Sequence, residues 1–148
     1  MHQQVDRSGL VVGSCMTASP HTIELTATLA EAKAVLRQHA IRHLPVVRDR
    51  RVVGVLTDQD IANVESLAST RGATIFVAEA MTPIPYCVPP SMPIARVVDR
   101  MAREKYSCAI VSDEESDRVL GVFTVVDALR TLNALLHAEA ERDVSARP

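Results

Sequence analysis

Gly54-Val55-Leu56-Thr57-Asp58-Gln59-Asp60 and Gly121-Val122-Phe123-Thr124-Val125-Val126-Asp127 are two copies of one pattern: glycine, two apolar residues, threonine, and an aspartate three places later. The two threonines stand 67 residues apart (124 − 57). Each copy follows a short β-branched run, Arg51-Val52-Val53 or Arg118-Val119-Leu120, and opens an amphipathic segment. The pattern therefore reads as a strand passing directly into a helix. Chemistry can sit at such a junction, because the first helical N–H groups lack intrahelical partners, carry partial positive charge and receive anions. The threonine hydroxyl donates or accepts there, and an aspartate carboxylate can accept the two hydroxyl hydrogen bonds that a ribose offers. The same spacing is also that of a capping box, with Thr57 or Thr124 as N-cap and Asp60 or Asp127 returning to the threonine amide. The two roles are compatible, since hydroxyl and carboxylate both have lone pairs to spare.

Around each copy the flanking elements repeat as well. In the first half, Leu10-Val11-Val12 leads through Gly13 to Met16-Thr17, and Thr22-Ile23-Glu24-Leu25 is a short extended entry to a helix. That helix opens on the capping box Thr28-Leu29-Ala30-Glu31 and carries Leu29, Ala32, Val35, Leu36 and Ala40 on one face. Leu44-Pro45-Val46-Val47 is a buried strand with proline near its start, and Arg48-Asp49-Arg50 turns it into the next strand. After Thr57 comes a helix striped by Ile61, Val64 and Leu67 and ended by Ser69-Thr70-Arg71-Gly72. In the second half Met81-Thr82 answers Met16-Thr17, Cys87-Val88 answers Thr22-Ile23, and Pro93 opens a helix striped by Ile94, Val97, Val98 and Met101. Cys108-Ala109-Ile110-Val111 is set against Leu44-Pro45-Val46-Val47 at an offset of 64, so that three extra residues in the acidic turn 112–117 restore the offset of 67. The last helix, from Thr124, carries Leu129, Leu132, Leu135 and Leu136. The units are thus residues 10–70 and 71–137, with 1–9 and 138–148 read as flexible tails.

Composition narrows the function. With 148 residues the chain can bury a sizeable core, and 47% apolar residues exclude general disorder. No apolar run reaches the roughly 18 residues of a membrane span, and the polar start Met1-His2-Gln3-Gln4-Val5-Asp6 gives no signal peptide. A soluble cytoplasmic protein is expected. Three dispersed cysteines, Cys15, Cys87 and Cys108, form neither a disulfide framework nor a redox pair. The five histidines have no metal-ligand spacing, so no metal site is expected. A net charge of −2 without a basic run, and only two Phe and two Tyr, argue against nucleic acid as partner.

Met16-Thr17, the helix Leu29-Ala30-Glu31-Ala32, His43-Leu44-Pro45-Val46-Val47 and Val53-Gly54-Val55-Leu56-Thr57-Asp58-Gln59-Asp60-Ile61 together resemble the CBS motif, named after cystathionine β-synthase. The second half resembles a tandem partner, and the similarity covers nearly all of residues 10–135, which leaves no room for an attached catalytic or transport domain. It departs most where Tyr106-Ser107-Cys108-Ala109 stands against Arg42-His43-Leu44-Pro45. The resemblance implies an α/β (α+β) fold: two β-α-β-β-α half-domains packed with pseudo-two-fold symmetry as a stand-alone Bateman-type module. It implies two clefts that sense AMP, ADP or ATP-type adenosyl ligands, and pairing of modules into discs. Thr57 and Asp60, and Thr124 and Asp127, are then the phosphate and ribose contacts. The backbone at Thr22, Ile23, Cys87 and Val88 and at Leu44, Pro45, Cys108 and Ala109 lines the base pockets. Arg42 or His43 is placed to steady a phosphate in the first cleft, with a solvated turn residue as the alternative reading. Loss of that charge at Tyr106-Ser107 makes the sites unequal, the first being better suited to di- or triphosphates.

The leading expectation is a regulatory module, free of catalysis, whose ligand biases a conformational or dimer equilibrium read by an unidentified protein target. The adenine nucleotide is a regulatory ligand rather than a cofactor. The alternative is a ligand-free structural or dimerisation module whose Thr-x-x-Asp stretches only cap helices. An enzyme is the third class: no cysteine has a recognisable base, and neither Asp60 nor Asp127 comes with a second carboxylate or a metal. The Leu129, Leu132, Leu136 stripe calls for a partner surface and predicts a homodimer.

Overall fold

A computed structural model describes residues 9–67 and 74–147 of the chain. In chain order the elements are β1 (Thr17–Ala18), β2 (Ile23–Glu24), α1 (Leu29–His39), β3 (His43–Arg48), β4 (Arg51–Thr57), α2 (Asp58–Glu65), α3 (Val77–Ala80), β5 (Thr82–Pro83), β6 (Cys87–Val88), α4 (Ile94–Glu104), β7 (Cys108–Ser112), β8 (Val119–Thr124) and α5 (Val125–Ser145). Two four-stranded sheets form, in the orders β2-β3-β4-β5 and β1-β8-β7-β6. In each, the entry strand runs parallel to the next strand of its own half, as a crossover helix requires, and the hairpin strands are antiparallel. The α+β architecture of two β-α-β-β-α halves expected from the repeat is the one observed.

What the repeat did not foretell is an exchange of edge strands. β1, from the first half, pairs antiparallel with β8, while β5, from the second half, pairs with β4. The segments before them cross over too. Val12 and Gly13 donate to the carbonyls of Met92 and Pro90, and Val77 donates to the carbonyl of Ala27. Packing follows the crossing: Val77 is buried in the core made by Leu29, Leu36, Leu44, Leu56 and Ile61, and Val12 in the core of Val97, Met101, Val111 and Phe123. A third cluster, Val55, Cys108, Ile110 and Val122, joins the two sheets.

The exchange explains the glycine of the repeated pattern. A Cβ on Gly54 would lie 2.9 Å from the Thr82 carbonyl oxygen, and one on Gly121 would lie 2.9 Å from that of Thr17, with Met81 and Met16 sulfurs closer still. Room for the crossing strand, not an unusual φ, requires glycine here.

Strand register corrects the internal alignment. His43 pairs with Thr57 as Cys108 pairs with Thr124, and a bulge follows Val46 as one follows Val111, so the offset is 65 (108 − 43) and the longer turn adds two residues, not three. Arg42 therefore corresponds to Ser107 and His43 to Cys108. The same offset relates the ends of α1 and α4, where Ala40 and Lys105 both take the left-handed conformation (φ 51° and 57°).

Two further expectations change. Helix α2 stops at Glu65, which leaves Leu67 beyond it and exposed. The proposed stop at 69–72 and the N-terminal tail up to residue 8 lie outside the described residues. The stretch after His137, read as a frayed tail, is helical to Ser145, consistent with its Ala- and Glu-containing composition.

Candidate functional site: a cleft between the halves

Both Thr-x-x-Asp stretches form the capping boxes that their spacing allows. Thr57 N–H donates to Asp60 Oδ2 at 2.8 Å and Asp60 N–H donates to Thr57 Oγ1 at 3.1 Å. Thr124 N–H donates to Asp127 Oδ2 at 2.9 Å and Asp127 N–H returns to Thr124 Oγ1 at 3.2 Å. The corners differ in what else they touch. The Thr17 hydroxyl, delivered by the exchanged strand β1, reaches Asp127 Oδ1 at 3.3 Å, and Arg130, one turn along α5, stands 3.6 Å from the same oxygen. Among the described residues Asp127 is one of two buried polar ones, at 6% exposure, whereas Asp60 is half-buried.

A cavity of about 670 Å³ opens over the second corner. Thr17 to His21 form one side, the end of α1 and the start of β3 (His39 to His43) form another, and Val122, Thr124, Val126, Asp127 and Arg130 close it. Strand exchange is the reason for this combination: pairing of β1 with β8 carries the first half's loop beside the second half's aspartate. Arg42 and His43, expected to serve the cleft of Thr57 and Asp60, also line the cavity of Thr124 and Asp127. Arg42 also borders a second hollow beside Asp58, so its charge lies between the two corners rather than at the first alone.

His43 sits where the halves meet. Its Nε2 is 3.1 Å from Ser107 Oγ, the residue equivalent to Arg42. Burial holds the His43 pKa below its ordinary value, against the pull of the Asp58 carboxylate and with Arg42 adding to the depression. Arg42 in turn lies 4.0 Å from Asp58. Two guanidinium groups, a donor-rich helix N-terminus and threonine hydroxyls around one carboxylate can hold an anion and a hydroxylated sugar together. The volume suits a small organic ligand.

Of the expected ligand residues, the cavity gathers His43, Thr124 and Asp127. Thr57 and Asp60 do not line it, nor do Thr22, Ile23, Cys87 and Val88. Leu44, Pro45, Val88 and Ala109 bury their side chains in the cores, so each can offer a ligand only its backbone. At the positions of the first corner that correspond to the cavity, Tyr86 replaces His21 and Tyr106 replaces Ile41; their rings lie 5.6 Å apart, with Arg100 over Tyr86. Sequence reading missed Thr17, His21, His39 and Arg130. Arg130 was findable, three residues beyond Asp127 on one helix face; the others depend on the strand exchange. No group of three or more metal-ligating side chains exists among the described residues, and no described helix is long and apolar enough to cross a membrane.

Known proteins resemble the chain in sequence and in fold. A homoserine O-acetyltransferase of Methanococcoides burtonii is 30% identical over 122 residues, 82% of this chain but only 24% of that protein. The chain thus spans about a quarter of the length of the first curated relatives it matches, 24% and 26%. Among solved structures, a protein assigned to acetoin utilization (AcuB) from Vibrio cholerae superposes with a TM-score of 0.76 at 25% identity, covering 94% of this chain and 98% of that one. The CBS domain pair of protein MJ0100, solved with 5′-methylthioadenosine and S-adenosyl-L-methionine, gives 0.72 at 26% identity, covering 84% and 97%. The CBS domain model matches residues 12–66 and again 77–134, the two halves that the repeated Gly-h-h-Thr-x-x-Asp corners divide, and the chain belongs to the CBS domain family, carrying the domain twice.

Proposed function

We propose that the chain is a regulatory module that binds an adenine nucleotide of the AMP, ADP or ATP type in the cleft of Thr124 and Asp127, without catalytic activity of its own, and that it works in the cytoplasm on a protein target. The observation that carries this reading is the convergence of Asp127, Thr124, Arg42 and Arg130 on one cavity. A buried carboxylate suits ribose hydroxyls, and two guanidiniums beside a helix N-terminus suit phosphate. Adenosyl ligands in the MJ0100 pair support the nucleoside part. The free state of Cys15, Cys87 and Cys108 accords with a reducing compartment. A second copy is the expected partner in assembly: Val125, Leu129, Leu132 and Leu136 follow the 4-3-4 spacing of a two-helix seam on α5 and are all about half exposed.

The test is thermal stabilisation across a nucleotide panel, with Asp127→Ala and Asp60→Ala compared. A ligand at about 100 times its Kd adds about 2.7 kcal/mol, a shift of roughly 5–11 °C for a domain of this size. Asp127→Ala should abolish the shift while Asp60→Ala preserves most of it. Equal losses, or no shift with any nucleotide, would reject this reading. One observation favours the alternative of a ligand-free interaction module: the Asp127 carboxylate is already satisfied by Thr17, Thr124 and Arg130. A flat thermal panel together with a dimer mass in light scattering would select that alternative.

A further inference from the structure

Three of the chain's five histidines line the Asp127 cavity. His21 arrives on the loop after β1, and His39 is the last residue of α1; both are exposed, and their rings stack with centroids 3.5 Å apart and planes 15° from parallel. No hydrogen bond among the described residues holds either ring, so their nitrogens are open to a ligand. Neutral imidazoles tolerate this stacking, but two imidazolium rings at such a distance repel unless an anion lies against both.

The surrounding charge gives them no such anion. From β3 the facing groups are Arg42 and His43, and from α5 Asp127 and Arg130. Asp127 is engaged by Thr17 and Arg130. Asp58, at the start of α2, is paired with Arg42, and Arg37 on α1 lines the neighbouring hollow together with Lys33. At the positions equivalent to His21 and His39, the other half carries Tyr86 and Glu104, a pair that cannot compensate a phosphate.

We propose that His21 and His39 form a phosphoryl-binding subsite of this cavity, at which a phosphate monoester or phosphoanhydride binds with uptake of a proton by the stacked pair. The proposal rests on the nucleotide reading of the same cavity and adds the stacked pair to Arg42 and Arg130 as contacts of the phosphoryl group. A phosphoryl dianion supplies the charge that lets the second ring protonate; a neutral adenosyl compound does not. By linkage, protonation coupled to binding makes affinity rise as pH falls toward the ordinary histidine range.

Isothermal titration of the whole chain with AMP and with adenosine, at pH 6.5 and 8.0 and in buffers of different ionisation enthalpy, tests this. The proteins are the wild type, each single variant His21→Asn and His39→Asn, and the double variant. AMP protonates in the same range and contributes equally to every protein, so the difference between wild type and variants is the readout. Wild type should take up about half a proton or more on binding AMP and should bind it about three- to tenfold tighter at pH 6.5, relative to the double variant. Adenosine should show neither effect. Identical proton uptake in wild type and double variant, or the same pH dependence for adenosine as for AMP, would overturn the subsite while leaving nucleotide binding intact. If neither compound binds, the nucleotide reading falls, and inorganic pyrophosphate decides the subsite: histidine-dependent proton uptake on binding supports it, and no binding overturns it.

Discussion

Replacing either repeated glycine by alanine should cost similar stability but disturb different parts of the molecule. In Gly121→Ala the new Cβ lies 2.9 Å from the Thr17 carbonyl oxygen and against the Met16 sulfur; in Gly54→Ala it lies 2.9 Å from the Thr82 carbonyl oxygen and 2.5 Å from the Met81 sulfur. A methionine side chain can swing aside, but a backbone carbonyl in a paired strand cannot. Overpacking of this kind costs about 1–3 kcal/mol, which lowers Tm by roughly 2–12 °C. The cost has a ceiling, because β1 and β5 are each two residues long and can lift off the sheet edge. Lifting β1 removes the Thr17 hydroxyl from Asp127 and frees the cavity wall at 17–21, whereas lifting β5 leaves that wall in place. Urea unfolding gives the stability change, and amide hydrogen exchange locates it: faster exchange at residues 17–21 in Gly121→Ala only, and at 82–84 in Gly54→Ala only. Adding Met16→Ala to Gly121→Ala should recover part of the loss, since the sulfur clash goes and the carbonyl clash stays. An unchanged unfolding midpoint in Gly121→Ala, or full recovery in the double variant, would refute the argument that the crossing strand's backbone demands the glycine.

Three other outcomes follow from the site and its surroundings. His43 has its folded-state pKa depressed below 6.5 by burial, so the unfolded chain binds more protons between the folded value and 6.5. Its contribution to stability is therefore full above 6.5 and is lost as pH falls through the folded value; urea midpoints of the wild type between about pH 5 and 8 should show this acid loss, and His43→Gln should lack it. Burial pushes the Cys108 thiol up to about 12, so at pH 7.5 alkylation followed by peptide mapping should leave Cys108 unmodified in the native protein and modify it after denaturation. Ala40 ends α1 in the left-handed region at φ 51°, and Ala40→Gly should raise stability by about 1 kcal/mol, seen as a higher urea midpoint with an unchanged m-value.

The repeat, the element order and three capping boxes were legible because they depend on local chemistry: Thr28 and Glu31, Thr57 and Asp60, and Thr124 and Asp127 each close a bond over three residues. Which half's arginine meets which half's aspartate was not legible, because it is set by a pairing more than a hundred residues apart, Thr17 with Val122. The slip of one residue in aligning β7 on β3 has a similar origin. Apolar identity matches Val111 to either Val46 or Val47, and only the hairpin register selects Val46. His21 and His39 escaped notice for a related reason: they stand 18 residues apart (39 − 21), far from any metal-ligand spacing, and only the folded structure sets the loop after β1 against the end of α1.

Because each half lends an edge strand and an apolar plug to its neighbour, neither is a finished object by itself. A gene fragment encoding residues 10–67 would lack Val77 from its interior and a strand against Gly54, and the complementary fragment would lack Val12 and a strand against Gly121. The smallest length of chain that closes both interiors is therefore the pair.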